Sequence, residues 1–362
     1  MALAPHAVHE LARAGHRVLV ETGAGEASSI EDEHYGEAGA VVVGEAGRVY
    51  EESELVVKVQ GPIEEEYGFL RKGLILFSFL SLPINQGLVR ALIDSRCVAV
   101  AMETIRDARG RLPVLAPMSE IAGRLTPQIG AHYLQYQSGG RGILLGGSAG
   151  VRPGCVMILG CGIVGTAAAR VASGLGARVL VIDRDLDRLR RLEGEGLKGV
   201  TTLAASSMAI RDSALDADLL IGAILVVGSP TPALVDRATV EGMKDGSVIV
   251  DVDVDQGGCV ETSRPTTLDE PTFIEAGVVH YCVKNVPAAV PITATRALSN
   301  ALLPYARAVA GRGLPDAVNS DAGLGRGVAV AEGRVVDPVL ARAVGEEYNP
   351  LSSVLPLHSE AR

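Results

Sequence analysis

Three glycines, Gly160, Gly162 and Gly165, follow the apolar run "CVMIL" and open the run "GIVGTAAARVASGLG". Spaced as G-x-G-x-x-G between a strand and a helix, they read as a phosphate-binding turn. The first glycine allows the tight turn, the second lets backbone approach a pyrophosphate, and the third lets helix and strand pack closely. The phosphates would lie at the positive N-terminal end of that helix. A second apolar run, "RVLVID", ends in Asp183, at the spacing expected of a carboxylate that holds an adenosine ribose. Glycines and acid together point to a dinucleotide. Asp183 favours NAD over NADP because it would repel a 2′-phosphate. Arg184, directly after it, can pair with a phosphate and pulls the other way.

"DVDVDQGG" places Asp251, Asp253 and Asp255 at alternate positions, so on a strand all three face one way. Carboxylates in that array suit a hard cation such as Mg²⁺ or Ca²⁺. They also suit the end of a strand, where acids are solvated or cap a turn. A late strand of a nucleotide-binding sheet opens at its carboxyl end onto the ligand crevice. That position favours Asp255 beside the nicotinamide and no metal. The histidines give no site. His6, His9 and His16 flank an N-terminal amphipathic helix, His34 lies in "EDEHYG", His132 in a long helix, His280 on a strand and His358 in the tail. None has a partner at ligand spacing. The five cysteines are scattered without a C-x-x-C pair, so buried reduced thiols are expected.

The elements that must position these residues alternate along the chain. "RVLVETGAG", "AVVVG", "ELVVKVQG", "LILFSFL" and "CVAVAMET" read as strands, with "HAVHELARAG", "EEEYGFLRK" and "NQGLVRALIDSR" helical between them. A long helix over 118–137 follows, despite Pro127, and then a Gly-rich loop. "CVMILG", "RVLVID", "ADLLIGAILVVG", "GSVIVDVDV" and "VHYCVKN" read as strands of a second unit. "PITATRALSNALLPYARAVAGR" reads as a helix that leaves it and packs back on the first. The expectation is an α/β protein of two Rossmann-like domains with doubly wound, mostly parallel sheets. A nucleotide domain over 116–291 is inserted in a discontinuous substrate domain formed by 1–115 and 292–362. A formal charge of −10 disfavours nucleic acid and anionic membranes as partners. The most apolar stretch is too short to span a bilayer, and the start lacks a signal-peptide pattern, so a cytoplasmic protein is expected.

Over nearly its whole length the chain resembles the alanine dehydrogenases. Their superfamily includes the nucleotide-binding subunit of proton-translocating transhydrogenase. The resemblance rests on "GHRVLVETGAGEASSI", "LAPMSEIAGRLTPQIGAHYL", "GCGIVGTAAARVA", "DLLIGAILVVG", "DVDVDQGGCVETSRPTT", "YCVKNVPAAVPITAT" and "ALSNALLPY". It implies oxidation of an amino acid by NAD through an imine, with amino acid, imine or 2-oxo acid as the small-molecule substrate, commonly in a homo-hexamer. By motif, Gly160, Gly162, Gly165, Asp183 and Arg188 would hold the adenosine and pyrophosphate half. Ser119, Ser206 and the "AILVVG" and "VKNV" loops would line the rest, with Asp255 and Asn285 by the reacting carbon.

Departures fall on the substrate side. The family's substrate lysine is Gln60 here, and its histidine is Ser81 in "FLSLP". "MALAP" matches a motif that the family precedes with a strand and a substrate-binding arginine. Translation is therefore expected to begin about fifteen residues upstream, since sheet backbone would otherwise lie unpaired. Gln60 and Ser81 donate hydrogen bonds but carry no proton through a cycle. Such a cleft is like that of the transhydrogenase subunit, so an NAD-binding subunit or sensor is the alternative to a modified oxidoreductase. Lys58 and Lys284 are the cations that could compensate, and Lys284 is the one the family lacks.

Overall fold

The computed structural model describes residues 1–224, 231–254 and 257–357. Asp255, His358 and most of the "AILVVG" loop lie outside them. Two compact units divide the chain, Met1–Met118 with Val290–Arg362, and Ser119–Ala289.

The first unit carries β1 (Leu19–Glu21), β2 (Val41–Val43), β3 (Leu55–Gln60), β4 (Ile75–Phe79) and β5 (Val98–Ala101). The second carries β6 (Cys155–Leu159), β7 (Arg178–Asp183), β8 (Val200–Ala204), β9 (Leu219–Gly222), β10 (Val248–Asp251), β11 (Thr272–Glu275) and β12 (Val278–Tyr281). The chain then returns to the first unit with β13 (Val328–Ala331) and β14 (Arg334–Val335).

The second unit is one seven-stranded sheet in the order β11-β12-β10-β9-β6-β7-β8, parallel except at β11. The chain runs from β6 outward to β8 and then returns to β9 on the other side. The switch point of this doubly wound sheet therefore lies at β6, beside the glycine turn. The central strands β6, β9, β10 and β12 are buried on both faces, and alternation sends neighbours to different cores. Val156 and Ile158 join one cluster with Val179, Leu219 and Val248. Met157 and Leu159 join the other with Leu220 and Ile249.

The first unit has a five-stranded sheet, β14-β13-β5-β4-β3, with β3, β4 and β5 parallel, and a separate parallel pair β1-β2. The helix Pro291–Arg312 supplies Leu298, Leu302 and Val309 to a core with Ala2, Leu3, Phe77 and Val100. Both units are Rossmann-like α/β folds.

Some expected elements differ. "EEEYGFLRK" is helical as expected, as a 3-10 helix over Glu64–Phe69, but β8 was not among the expected strands. Hairpins β11–β12 and β13–β14 were not expected either. Each turns on two residues with positive φ, Ala276-Gly277 and Glu332-Gly333. That is the backbone of a tight primed turn, but Ala and Glu replace the Asn or Asp that would announce it. β10 ends at Asp251 and a turn follows, so Asp253 does not continue the strand face of Asp251, and Asp255 lies outside the described residues.

Candidate functional site

The turn after β6 is built as its glycines require. Gly160 has φ +108, and a Cβ there would meet the Ala223 carbonyl oxygen at 2.2 Å. A Cβ on Gly165 would lie 1.8 Å from the Gly160 carbonyl oxygen, so the helix Ile163–Gly174 sits directly on the turn. A Cβ on Gly162, by contrast, would meet nothing within 4 Å. Gly162 is the N-cap of that helix, and no side chain bonds its first turn. Open space at the positive end of a twelve-residue helix, with uncapped N–H groups, is where a pyrophosphate fits.

Asp183 closes β7 and is 6% exposed. Its Oδ2 accepts the Cys161 N–H at 2.6 Å and its Oδ1 accepts the Asp185 N–H at 2.8 Å. A carboxylate has about four acceptor positions, so two bonds fix it and leave acceptors for a ribose hydroxyl. Arg188 lies 3.8 Å from Asp183 and 3.3 Å from Asp185, in the first turn of the helix Leu186–Glu193. Arg184 is exposed. Ser206 N-caps the helix Ser207–Asp216, its Oγ accepting the Ala209 N–H at 3.1 Å. It follows Ala205, whose N–H bonds the Asp183 carbonyl, so it shares that carboxyl edge.

Ser119 stands near the start of the helix Ala116–Tyr133, four residues before Gly123 and so on the same face. A Cβ on Gly123 would touch the Val164 carbonyl oxygen at 2.3 Å. The two helices therefore meet backbone to backbone, with Ser119 one turn before the point of contact. Gly123 has no spacing signal of its own in the sequence.

At the other half of this sheet Asn285 is half-buried with φ +54, and its carbonyl accepts the Ala288 N–H. Lys284 beside it is exposed, and no salt bridge forms to it among the described residues. Asp251 is buried and staples the following loop, its Oδ2 accepting the N–H groups of Cys259 at 3.0 Å and Val260 at 3.3 Å. Burial raises its carboxyl pKa. His280 is fully buried between the Thr262 hydroxyl and the Val278 carbonyl, and all five cysteines are buried and unpaired. Among the described residues no cluster of acids, His and Cys could hold a metal ion.

In the first unit, Gln60 and Ser81 come together at the carboxyl ends of the neighbouring strands β3 and β4. Gln60 pairs with Phe79 and is exposed. Ser81 is half-buried and left-handed, φ 47 and ψ 40. Lys58 is held by both oxygens of Glu66, at 2.7 and 2.5 Å, with a register shift between Val57 and Gln60. Glu103, after β5, closes the row. Its Oε1 accepts the Ser81 N–H at 2.8 Å. A single acid after a strand carries no sequence signal, so Glu103 emerges only from the fold.

Comparison with known proteins follows both halves. The alanine dehydrogenase/PNT N-terminal domain model matches residues 1–122 and the alanine dehydrogenase/PNT C-terminal domain model residues 126–338. An alanine dehydrogenase of Bacillus subtilis is 47% identical over 356 residues, covering 98% of this chain and 94% of its own. One of Mycolicibacterium smegmatis is 46% identical over 342 residues, covering 94% and 92%. A solved L-alanine dehydrogenase superposes with TM-score 0.89 at 46% identity over 95% of each chain. A Sinorhizobium meliloti transhydrogenase, at 24% identity and TM-score 0.77 over 93% and 95%, shares the fold.

Proposed function

Since the chain belongs to the alanine dehydrogenase/PNT family, we propose that it is an NAD-dependent oxidoreductase of a small amino acid, amine or imine with an altered substrate side. The C-terminal domain is the one that binds NAD, which supplies the hydride acceptor. In this reading Gly162 and the first turn of Ile163–Gly174 hold the pyrophosphate, Asp183 the adenosine ribose, and Arg188, Ser206 and Ser119 the surrounding wall. Asp255, Asn285 and Lys284 serve the reacting end. Residues 116–291 carry the cofactor; 1–115 and 292–362 carry the substrate. The protein acts in the cytoplasm as a homo-oligomer, a hexamer by family likeness.

The observation that carries the altered site is the pair Gln60 and Ser81 on adjacent strand ends, with Lys58 already engaged by Glu66. These side chains can orient a substrate by hydrogen bonds. They offer neither a charge-assisted grip on a carboxylate nor a proton carrier near neutral pH. The same observation supports a second reading, an NAD(H)-binding subunit or sensor with little turnover. A scan of amino acids, amines and 2-oxo acids with ammonia, followed by NADH absorbance, separates the two. Turnover of any of them supports the oxidoreductase. Tight NAD binding by calorimetry with no turnover across the panel supports the binding subunit.

A further inference from the structure

Glu103 belongs to the 3-10 turn Met102–Thr104 that follows β5. Its carboxylate reaches across to the neighbouring strand β4. Besides the Ser81 N–H, it accepts the Leu80 N–H through Oε1 at 3.1 Å and Oε2 at 3.3 Å. Two consecutive backbone groups are thus held by one side chain. Between them they carry the chain into the left-handed conformation of Ser81. That backbone is uncommon for a serine, and it persists where the surroundings over-determine it. Of the six non-glycine residues with positive φ among the described residues, two are the site candidates Ser81 and Asn285. Burial raises the Glu103 carboxyl pKa, while the N–H bonds lower it.

We propose that Glu103 is a positioning residue: by clamping the Leu80 and Ser81 N–H groups it fixes the left-handed turn and hence the direction in which Ser81 presents its hydroxyl. The inference rests on the reading of Ser81 as a substrate-side residue. Glu103 itself need not touch the substrate. An isosteric amide keeps one acceptor oxygen and so keeps part of the clamp.

The test uses the full chain with Glu103→Ala, Glu103→Gln, Ser81→Ala and the double change Glu103→Ala with Ser81→Ala. Amide hydrogen exchange at Leu80 and Ser81, read by mass spectrometry, should speed up in Glu103→Ala and recover in part in Glu103→Gln. With whichever amino acid or amine the protein turns over, Glu103→Ala should lower kcat/KM by ~10–100-fold, the effect of misplacing a site group by about an ångström. Glu103→Gln should restore part of it. In the Ser81→Ala background the Glu103→Ala change should cost little more, because its effect passes through Ser81. An equal loss in both backgrounds overturns the proposal, as does unchanged exchange at the two amides. The exchange measurement needs no turnover. If the protein oxidises nothing, the functional reading fails and exchange alone decides whether Glu103 holds the turn.

Discussion

Asp183, Asp251 and Glu103 do the same physical work at three strand ends. Each accepts backbone N–H groups from a following or neighbouring loop, and Asp183 and Glu103 thereby fix the turns that carry Gly162 and Ser81. For Asp183 the consequence is cofactor choice. A second phosphate beside a nearly buried carboxylate should make NADP(H) bind more weakly than NAD(H) by ~1–3 kcal/mol. Titration calorimetry checks this, and equal or tighter NADP(H) binding would point to the exposed Arg184. For Gln60 and Ser81 the consequence is rate. Oxidation of L-alanine should run ~10²–10⁴-fold slower than in family members that carry the lysine and histidine. Steady-state kinetics should also show some alanine oxidation regained by Gln60→Lys with Ser81→His. The exposed Lys284 provides the third comparison. If it supports the native reaction, Lys284→Ala abolishes that activity. Undiminished activity would leave Lys284 as a solvated side chain.

At the scale of elements, the turn between β6 and the helix Ile163–Gly174 separates folding from binding within six residues. Gly162 faces open space and has φ −79, so alanine fits its backbone. Gly162→Ala should leave the unfolding temperature nearly unchanged and weaken NAD binding by about tenfold, or 1.4 kcal/mol. Gly165→Ala places a methyl on the Gly160 carbonyl and should destabilise the fold by ~1–3 kcal/mol or more. Calorimetric scans alongside NAD titration distinguish the two. Loss of stability in Gly162→Ala would show that the turn is tighter than its geometry indicates.

For the whole molecule, pH is a probe of the second unit. His280 is buried and stacked on Phe273, itself covered by Arg264, with Glu275 close by. Burial lowers its pKa below 6.5, outweighing the opposing pull of Glu275. As pH falls the unfolded chain takes up this proton before the folded one. The stability contributed by neutral His280 is therefore full above about 6.5 and lost as pH drops from there towards the folded value. Unfolding midpoints measured on either side of that pH should fall less steeply in His280→Gln than in the unchanged protein. An identical slope would show that His280 is not the group responsible. Assembly is a second test at this scale. Sedimentation should give a hexamer, and a monomer at working concentration would refute that part of the proposal.

The dinucleotide turn was legible because its requirements are local: a left-handed glycine, an open one and a packed one lie within six consecutive residues. The resemblance in ordered motifs likewise gave the family and NAD. The two hairpins were not legible, since Ala276-Gly277 and Glu332-Gly333 reach primed turns through strand pairing instead of side-chain preference. The alternation of "DVDVD" suggested one shared face, yet β10 stops at Asp251 because that acid turns inward to bind the N–H groups of Cys259 and Val260. Glu103 and Gly123 gain their roles from partners on other elements. A carboxylate that holds a neighbouring strand's turn, or a glycine that admits another helix's backbone, is defined by what crosses to it in space, and only the tertiary structure brings those partners within reach.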